Sequence, residues 1–135
     1  MLRGIENDFS DFENDVFSSV IINSSPKQGN GYGYRCININ KMKYDFIDIF
    51  NSKNTKYVIN EFTRNGGSCV YNDKLECKIS KYWKLMRESY PSYGLVMKTD
   101  SVLTPGVNLI FLFDINSNNL VTLNEFDCID ITIRN

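Results

Sequence analysis

The chain has 135 residues, of which 42% are hydrophobic and 13% aromatic, and this size and composition predict one globular domain over residues 1–135. The formal net charge is −1, so the chain lacks the strongly basic character expected of a nucleic-acid binder. It contains no histidine, which removes the commonest general base and the commonest metal ligand. We therefore expect a protein that is not an enzyme and that needs no cofactor.

The cysteines and apolar runs bear on the compartment. None of the four cysteines forms a Cys-x-x-Cys pair, and the N-terminus has no apolar secretory-signal core. We therefore expect reduced thiols and a cytoplasmic location, with the reservation that Cys69 and Cys77 could face each other across a hairpin. The longest apolar run, 109–113, is far shorter than the roughly 20 residues of a membrane helix, so no membrane partner is expected.

The first predicted element is an amphipathic helix over 9–21. Ser10 and Glu13 have the spacing of a capping box, in which each side chain satisfies a backbone N–H of the other residue. A loop is expected over 23–33, which is rich in Ser, Asn and Gly. The apolar residues of the helix recur at the period of one helical face: Phe9, Phe12, Val16, Phe17 and Val20.

The middle of the chain alternates apolar and polar residues over short stretches, which is typical of strands. Residues 42–50 fit both a helix and a strand, so that element stays open. The alternation predicts strands over 34–40 and 56–63, and a hairpin of 68–71 with 75–79.

A second helix is predicted near 80–90, because Ser80 can cap its start and Pro91 would end it. Beyond it the chain is β-like, with a turn over 116–119. Strands are expected over 93–98, 107–115, 120–124 and 128–134. The predicted fold is an α+β domain with a mainly antiparallel sheet, an N-terminal amphipathic helix and one further helix near 80–90.

Two segments of the chain resemble each other. Residues 46–62 (FIDIFNSKNTKYVINEF) and 109–126 (LIFLFDINSNNLVTLNEF) both run from an apolar stretch through an Asn/Ser-rich turn into a second apolar stretch that ends in Asn-Glu-Phe. We interpret both segments as hairpins. A repeat array would need at least three such units.

The later of these segments also resembles the calcium-binding loop of the EF-hand family. Oxygen-bearing side chains occupy loop positions 1, 3, 5 and 12, and the resemblance implies that Asp114, Asn116, Asn118 and Glu125 coordinate calcium. Asn119 stands where that family has glycine, and both flanks are rich in strand formers. We therefore favour a β-hairpin without a metal, and keep a calcium-binding accessory module as the alternative.

A histidine-free enzyme or a nucleic-acid binder is a further alternative. The predicted helix near 80–90 carries a basic stripe beside aromatic residues, and the run 30–34 (NGYGY) resembles the RNP1 motif of RNA-recognition domains. Arg35 stands where that motif needs an apolar residue, so a loop that contacts a partner is the better interpretation. The basic stripe comprises Lys78, Lys81, Lys84 and Arg87.

Acidic residues cluster near both ends of the chain, in IENDFSDFEND and in NEFDCIDI. In size, composition and these acidic segments the chain resembles small bacterial immunity proteins, which neutralise the toxins of contact-dependent growth inhibition and other polymorphic systems. The resemblance implies an inhibitor that forms a heterodimer with a cognate toxin, for example a nuclease, and occludes its active or substrate-binding surface.

The acidic clusters supply the candidate contacts with such a toxin. Carboxylates can pair with the lysines and arginines that a nuclease uses to hold phosphate, which speeds association and blocks the substrate. No nucleic acid, membrane or small-molecule substrate is expected to bind directly. The predicted partner-binding residues are Asp8, Asp11, Asp15, Glu125, Asp127 and Asp130.

Overall fold

The computed structural model describes residues 2–4, 16–24, 34–82, 84–89, 98–103 and 106–131. These residues form helices α1 (Val16–Ser24), α2 (Ile39–Phe50) and α3 (Thr55–Arg64). They also form strands β1 (Leu2–Gly4), β2 (Ser68–Tyr71), β3 (Leu75–Lys81), β4 (Lys84–Ser89), β5 (Lys98–Leu103), β6 (Gly106–Ile115) and β7 (Val121–Ile131). The predicted α+β class is confirmed. None of the described helices is long and apolar enough to cross a membrane.

Helix α1 partly confirms the predicted N-terminal helix. Residues 16–21 are helical as expected, and the helix continues to Ser24; residues 9–15 lie outside the described residues. Phe17, Val20 and Ile21 are buried, so the apolar face identified from the sequence is the one that packs into the core.

Helix α2 settles the open assignment of residues 42–50 and corrects the strand predicted over 34–40. Residues 34–38 have no regular structure and the helix begins at Ile39. Met42, Phe46 and Phe50 are fully buried, and their spacing of four places them on one helical face. Because that face lies against the sheet, burial favours the helical period over the alternating one.

Helix α3 replaces the strand predicted over 56–63, which was wrong. The Asn54 side chain accepts a hydrogen bond from the Lys56 backbone N–H at 2.8 Å, a common way to satisfy the first free N–H groups of a helix. Val58 and Phe62, one turn apart, are both fully buried. Val58 and Phe62 share a helical face, and this is the face that the fold buries.

The main sheet has four antiparallel strands in the order β2-β3-β6-β7. Short local turns join β2 to β3 and β6 to β7, whereas β3 pairs with β6, which follows β4 and β5 in the chain. The hairpin predicted from 68–71 and 75–79 is confirmed, and so is the strand predicted over 107–115. β7 is one strand where separate strands were predicted over 120–124 and 128–134. The β6–β7 register shifts between Leu112 and Phe113, where a β-bulge bends the strand.

A second sheet, in the order β1-β4-β5, corrects the helix predicted near 80–90. β4 is paired with β1 on one side and with β5 on the other, so its backbone bonds go to distant residues. Gly106 begins β6 beside the end of β3, where a Cβ atom would overlap the Lys81 carbonyl oxygen. Glycine is therefore required where these strands approach each other.

One aromatic core joins the helices to the main sheet. Phe111, on β6, is fully buried, and the ring centroids of Phe46 and Phe62 lie 4.8 and 4.9 Å from its own in edge-to-face geometry. Such pairs stabilise by about 0.5–1.5 kcal/mol beyond their burial. The three helices therefore cover one face of the sheet.

All four cysteines form disulfides, so the expectation of reduced thiols was wrong. Cys69 and Cys77 are paired across the β2–β3 hairpin, as the stated reservation anticipated. Cys36 is bonded to Cys128 across a sequence separation of 92. That second pairing depends on where the segment 34–38 lies against β7, which cysteine spacing alone does not reveal.

Candidate functional site

The strongest candidate site is the face of the main sheet opposite the helices, which we call the outer face. Successive strand residues point to opposite sides, so the residues between the buried ones project outward. Ile110 and Leu112 on β6 are only half-buried there, whereas Phe111 between them is fully buried. Among the described residues nothing covers this face.

The strand register arranges outer-face residues in rows across the sheet. In one row Val70 pairs with Glu76, Glu76 with Leu112, and Leu112 with Glu125. Since neighbouring strands are about 4.8 Å apart, Glu76 and Glu125 lie roughly 10 Å apart with Leu112 between them. Val70 is 61% exposed. The row therefore alternates apolar and acidic side chains.

The next row pairs Lys78 with Ile110 and Ile110 with Asp127. Asp127 is exposed, and its Oδ1 accepts the Cys128 backbone N–H at 2.8 Å. That bond orients the carboxylate at the edge of the sheet. Two carboxylates on β7, two residues apart, thus share the outer face with a half-buried apolar floor.

The charges of this face are unevenly compensated. Lys78 Nζ lies 3.3 Å from Glu76 Oε1, and Lys74 Nζ lies 3.4 Å from Asp114 Oδ1. Within the described chain, Glu125 has no ion pair and neither does Asp127. Both existing pairs are solvent-exposed, and such pairs contribute little stability. The β7 side of the face is therefore the more negative one and is open to a cationic partner.

A groove of about 570 Å³ crosses this side of the face. It extends around the edge of β7, because Phe126 and Lys43 also line it. A partner side chain with an apolar stem and a charged end would match its surface. Its other described lining residues are Glu76, Ile110, Leu112, Glu125 and Asp127.

The structure separates the predicted partner-binding residues into three groups. Glu125 and Asp127 lie together on the outer face. Asp130 has the opposite parity on β7, and its Oδ1 accepts the Cys36 backbone N–H at 2.7 Å, so it holds the segment 34–38. Asp8, Asp11 and Asp15 lie outside the described residues. The sequence did not single out Glu76, although Glu76 belongs to the predicted hairpin; the strand register places it opposite Val70.

The EF-hand-like segment is a β-hairpin turn. β6 and β7 flank it on both sides, where an EF-hand needs helices. Asn116 Oδ1 accepts the backbone N–H groups of Asn118 and Leu120 at 2.9 and 3.0 Å, and Asn119 has a φ of 61°. Glu125 lies further along β7, opposite Leu112. Among the described residues, no group of three or more metal-ligating side chains converges.

The predicted basic helical stripe does not exist. Lys78 is on the outer face of β3, while Lys81 is half-buried with its Nζ 5.9 Å from the Phe17 ring centroid. Lys84 and Arg87 belong to β4. The spacing that would align these side chains on a helix does not align them on two strands that belong to different sheets.

Comparison with protein-family models, with curated proteins and with solved structures found no match for this chain.

Proposed function

We propose that this protein is a non-enzymatic, protein-binding inhibitor, an immunity protein whose outer face contacts a cognate toxin. The observation that carries the proposal is the arrangement of Glu125 and Asp127, without ion-pair partners in the described chain, beside the half-buried Ile110 and Leu112. A sheet face that leaves apolar side chains open between acidic ones is well suited to a cationic protein surface.

The proposed mechanism is occlusion. The two carboxylates on β7 pair with lysine or arginine side chains that the toxin uses to hold an anionic substrate, and the apolar floor excludes water from the contact. Long-range attraction between the acidic face and the basic toxin speeds association. The apolar centre slows dissociation, which accounts for most affinity differences between related complexes.

The proposal predicts that the toxin is encoded beside this protein. Cells that express the product of the neighbouring reading frame should lose viability, and co-expression of this chain should restore it. The two purified proteins should form a heterodimer whose affinity falls as salt concentration rises. A neighbouring product that is harmless, or toxicity that persists with this chain present, would contradict the proposal.

Charge reversal tests the proposed surface. Glu125→Lys should weaken binding about tenfold or more, since a like charge replaces an attractive one at the contact. Asp48→Lys is the matched control, because Asp48 is an exposed carboxylate on α2, in the helical layer on the other side of the sheet. If both variants lose protection equally, or if neither loses it, the contact lies elsewhere.

The disulfides bear on where binding takes place. Disulfides persist in oxidising compartments and are rare in the cytoplasm, so the two bonds favour an oxidising compartment. The cytoplasmic location predicted from the sequence instead requires all four thiols to be reduced in cells. Alkylation of free thiols in intact cells, followed by mass spectrometry, separates these outcomes: protected cysteines indicate an oxidising compartment, and labelled cysteines indicate the cytoplasm.

A further inference from the structure

The Cys69–Cys77 disulfide joins the edge strand β2 to β3 in the main sheet. The two cysteines lie directly opposite each other in the β2–β3 register, with their Cα atoms 4.0 Å apart. Cys77 is fully buried, but Cys69 is only half-buried. Since β2 is an edge strand and Cys69 is the more exposed of the two cysteines, a reductant would approach the bond from the Cys69 side.

β2 depends on this bond more than the rest of the sheet does. It has four residues, and it pairs with one strand only. On its other edge, no hydrogen bond from Ser68–Tyr71 is made to any described residue. Short edge strands with few buried contacts are the segments that open most readily. The disulfide prevents that opening because it fixes β2 to β3 at the centre of their pairing.

The other disulfide has additional support. Cys36 is held by the Asp130 carboxylate through its backbone N–H, and Cys128 is 7% exposed within the eleven-residue strand β7. If the Cys36–Cys128 bond were reduced, this hydrogen bond and the packing of β7 would remain. Reduction of Cys36–Cys128 should therefore leave its surroundings in place, whereas reduction of Cys69–Cys77 should release β2.

Opening of β2 would alter the outer face directly. Val70 follows Cys69, Glu76 precedes Cys77, and the two are paired across the hairpin. When β2 leaves the sheet, Val70 is lost from the row and β3 becomes the edge. Glu76 then lies on an unprotected strand beside Leu112.

We propose that the Cys69–Cys77 disulfide is a redox-sensitive clasp: oxidised, it holds the outer face in its binding form, and a dithiol reductant opens it and weakens partner binding. The effect on binding rests on the proposed function. The opening of the clasp does not, because it concerns this chain and a reductant alone.

The chemistry is ordinary thiol–disulfide exchange. A thiolate of the reductant attacks the Cys69 sulfur, the bond between the two sulfurs breaks, and Cys77 leaves as a thiolate that takes up a proton. The second thiol of the reductant then attacks the mixed disulfide and releases Cys69 as a thiolate, which is protonated in turn. The dithiol becomes a disulfide, and the protein gains two electrons and two protons.

The direct test is stepwise reduction of the wild-type protein with dithiothreitol under native conditions. Free thiols are alkylated at each step and located by peptide mass spectrometry. Cys69 and Cys77 should become labelled before Cys36 and Cys128, while the circular-dichroism spectrum stays native. Earlier labelling of Cys36 and Cys128, or labelling of all four only on global unfolding, would overturn the clasp.

Hydrogen exchange gives a second readout. In the partially reduced protein, and in Cys69→Ala/Cys77→Ala, those amides of 68–71 that are hydrogen-bonded to β3 should exchange about tenfold faster or more, because a strand no longer cross-linked opens more often. Cys36→Ala/Cys128→Ala is the matched control and should leave these amides protected. Unchanged protection of 68–71 after reduction would refute the proposal even if the alanine variant failed to fold.

Binding measured with the purified partner separates this inference from the proposed function, because the assay then sets the redox state of the chain. If the oxidised wild-type chain binds and Cys69→Ala/Cys77→Ala binds more weakly, while Cys36→Ala/Cys128→Ala binds as the wild type does, the clasp controls the binding face. If Cys69→Ala/Cys77→Ala binds as well as the oxidised wild type, the clasp does not control binding. If the oxidised wild-type chain does not bind, the proposed function fails, while the reduction and exchange results still decide whether the clasp opens.

Discussion

Removal of the Cys36–Cys128 bond should destabilise the protein more than removal of the Cys69–Cys77 bond. The first closes a sequence separation of 92 and the second a separation of 8. A cross-link stabilises by restricting the unfolded chain, and the restriction grows with the logarithm of the loop length. The loop-closure relation gives about 4.6 kcal/mol for the long loop and about 2.5 kcal/mol for the short one.

The difference, about 2 kcal/mol, is the firmer quantity because the constant in the relation cancels. The assay is urea unfolding of Cys36→Ala/Cys128→Ala and Cys69→Ala/Cys77→Ala, each measured with and without dithiothreitol. In each variant, the decrease in the free energy of unfolding on reduction measures the remaining cross-link alone, because the alanine substitutions are present both with and without dithiothreitol. Reduction should therefore cost more in the variant that keeps the long-range bond. Equal or reversed losses would refute the loop-length reasoning.

Three further outcomes are expected. Phe111→Ala should lower the free energy of unfolding by about 3–5 kcal/mol, because a fully buried ring leaves a cavity; a loss under 1 kcal/mol in urea titration would contradict the central place of Phe111. Gly67→Ala should cost about 1–3 kcal/mol, since a Cβ there would lie 2.5 Å from the Lys78 carbonyl oxygen, and unchanged thermal melting would be the contrary result. Millimolar calcium should leave the melting temperature unchanged, because Asn116 Oδ1 already accepts two backbone N–H groups. A ligand that binds only the native state must raise the melting temperature, so an increase with calcium would contradict this prediction.

Local chemistry determined much of the second half of the chain from sequence. The apolar run 109–113 predicted a strand, on which Phe111 and Phe113 share a side because they are two residues apart, and both are fully buried. Polar turns at 72–74 and 116–119 each join two strands that pair with each other. Such pairings need only local information, because the turn fixes the register and the alternation fixes the face.

Only part of the candidate site could be predicted from the sequence. Glu125 and Asp127 were grouped by charge alone, since both lie between the predicted strands 120–124 and 128–134; in the structure they share a face because they are two residues apart on β7. Asp130 was grouped with them by charge, yet the packing of 34–38 against β7 gives it a structural hydrogen bond instead. The Cys36–Cys128 bond depends on the same packing and was missed for the same reason.

The two similar segments show the limit of the sequence most clearly. Residues 109–126 form a hairpin as predicted, whereas 46–62 contribute the end of α2 and most of α3. The pattern of 46–62 satisfies both periods, since Phe46 and Phe50 match a helical face and FIDIF also alternates. The sequence by itself determined which side chains are apolar enough to be buried. Only the tertiary structure decided whether a helix or a strand buries them. β6 already has β3 and β7 as hydrogen-bonding partners, so its inner face is best covered by helices, whose backbone bonds are satisfied internally.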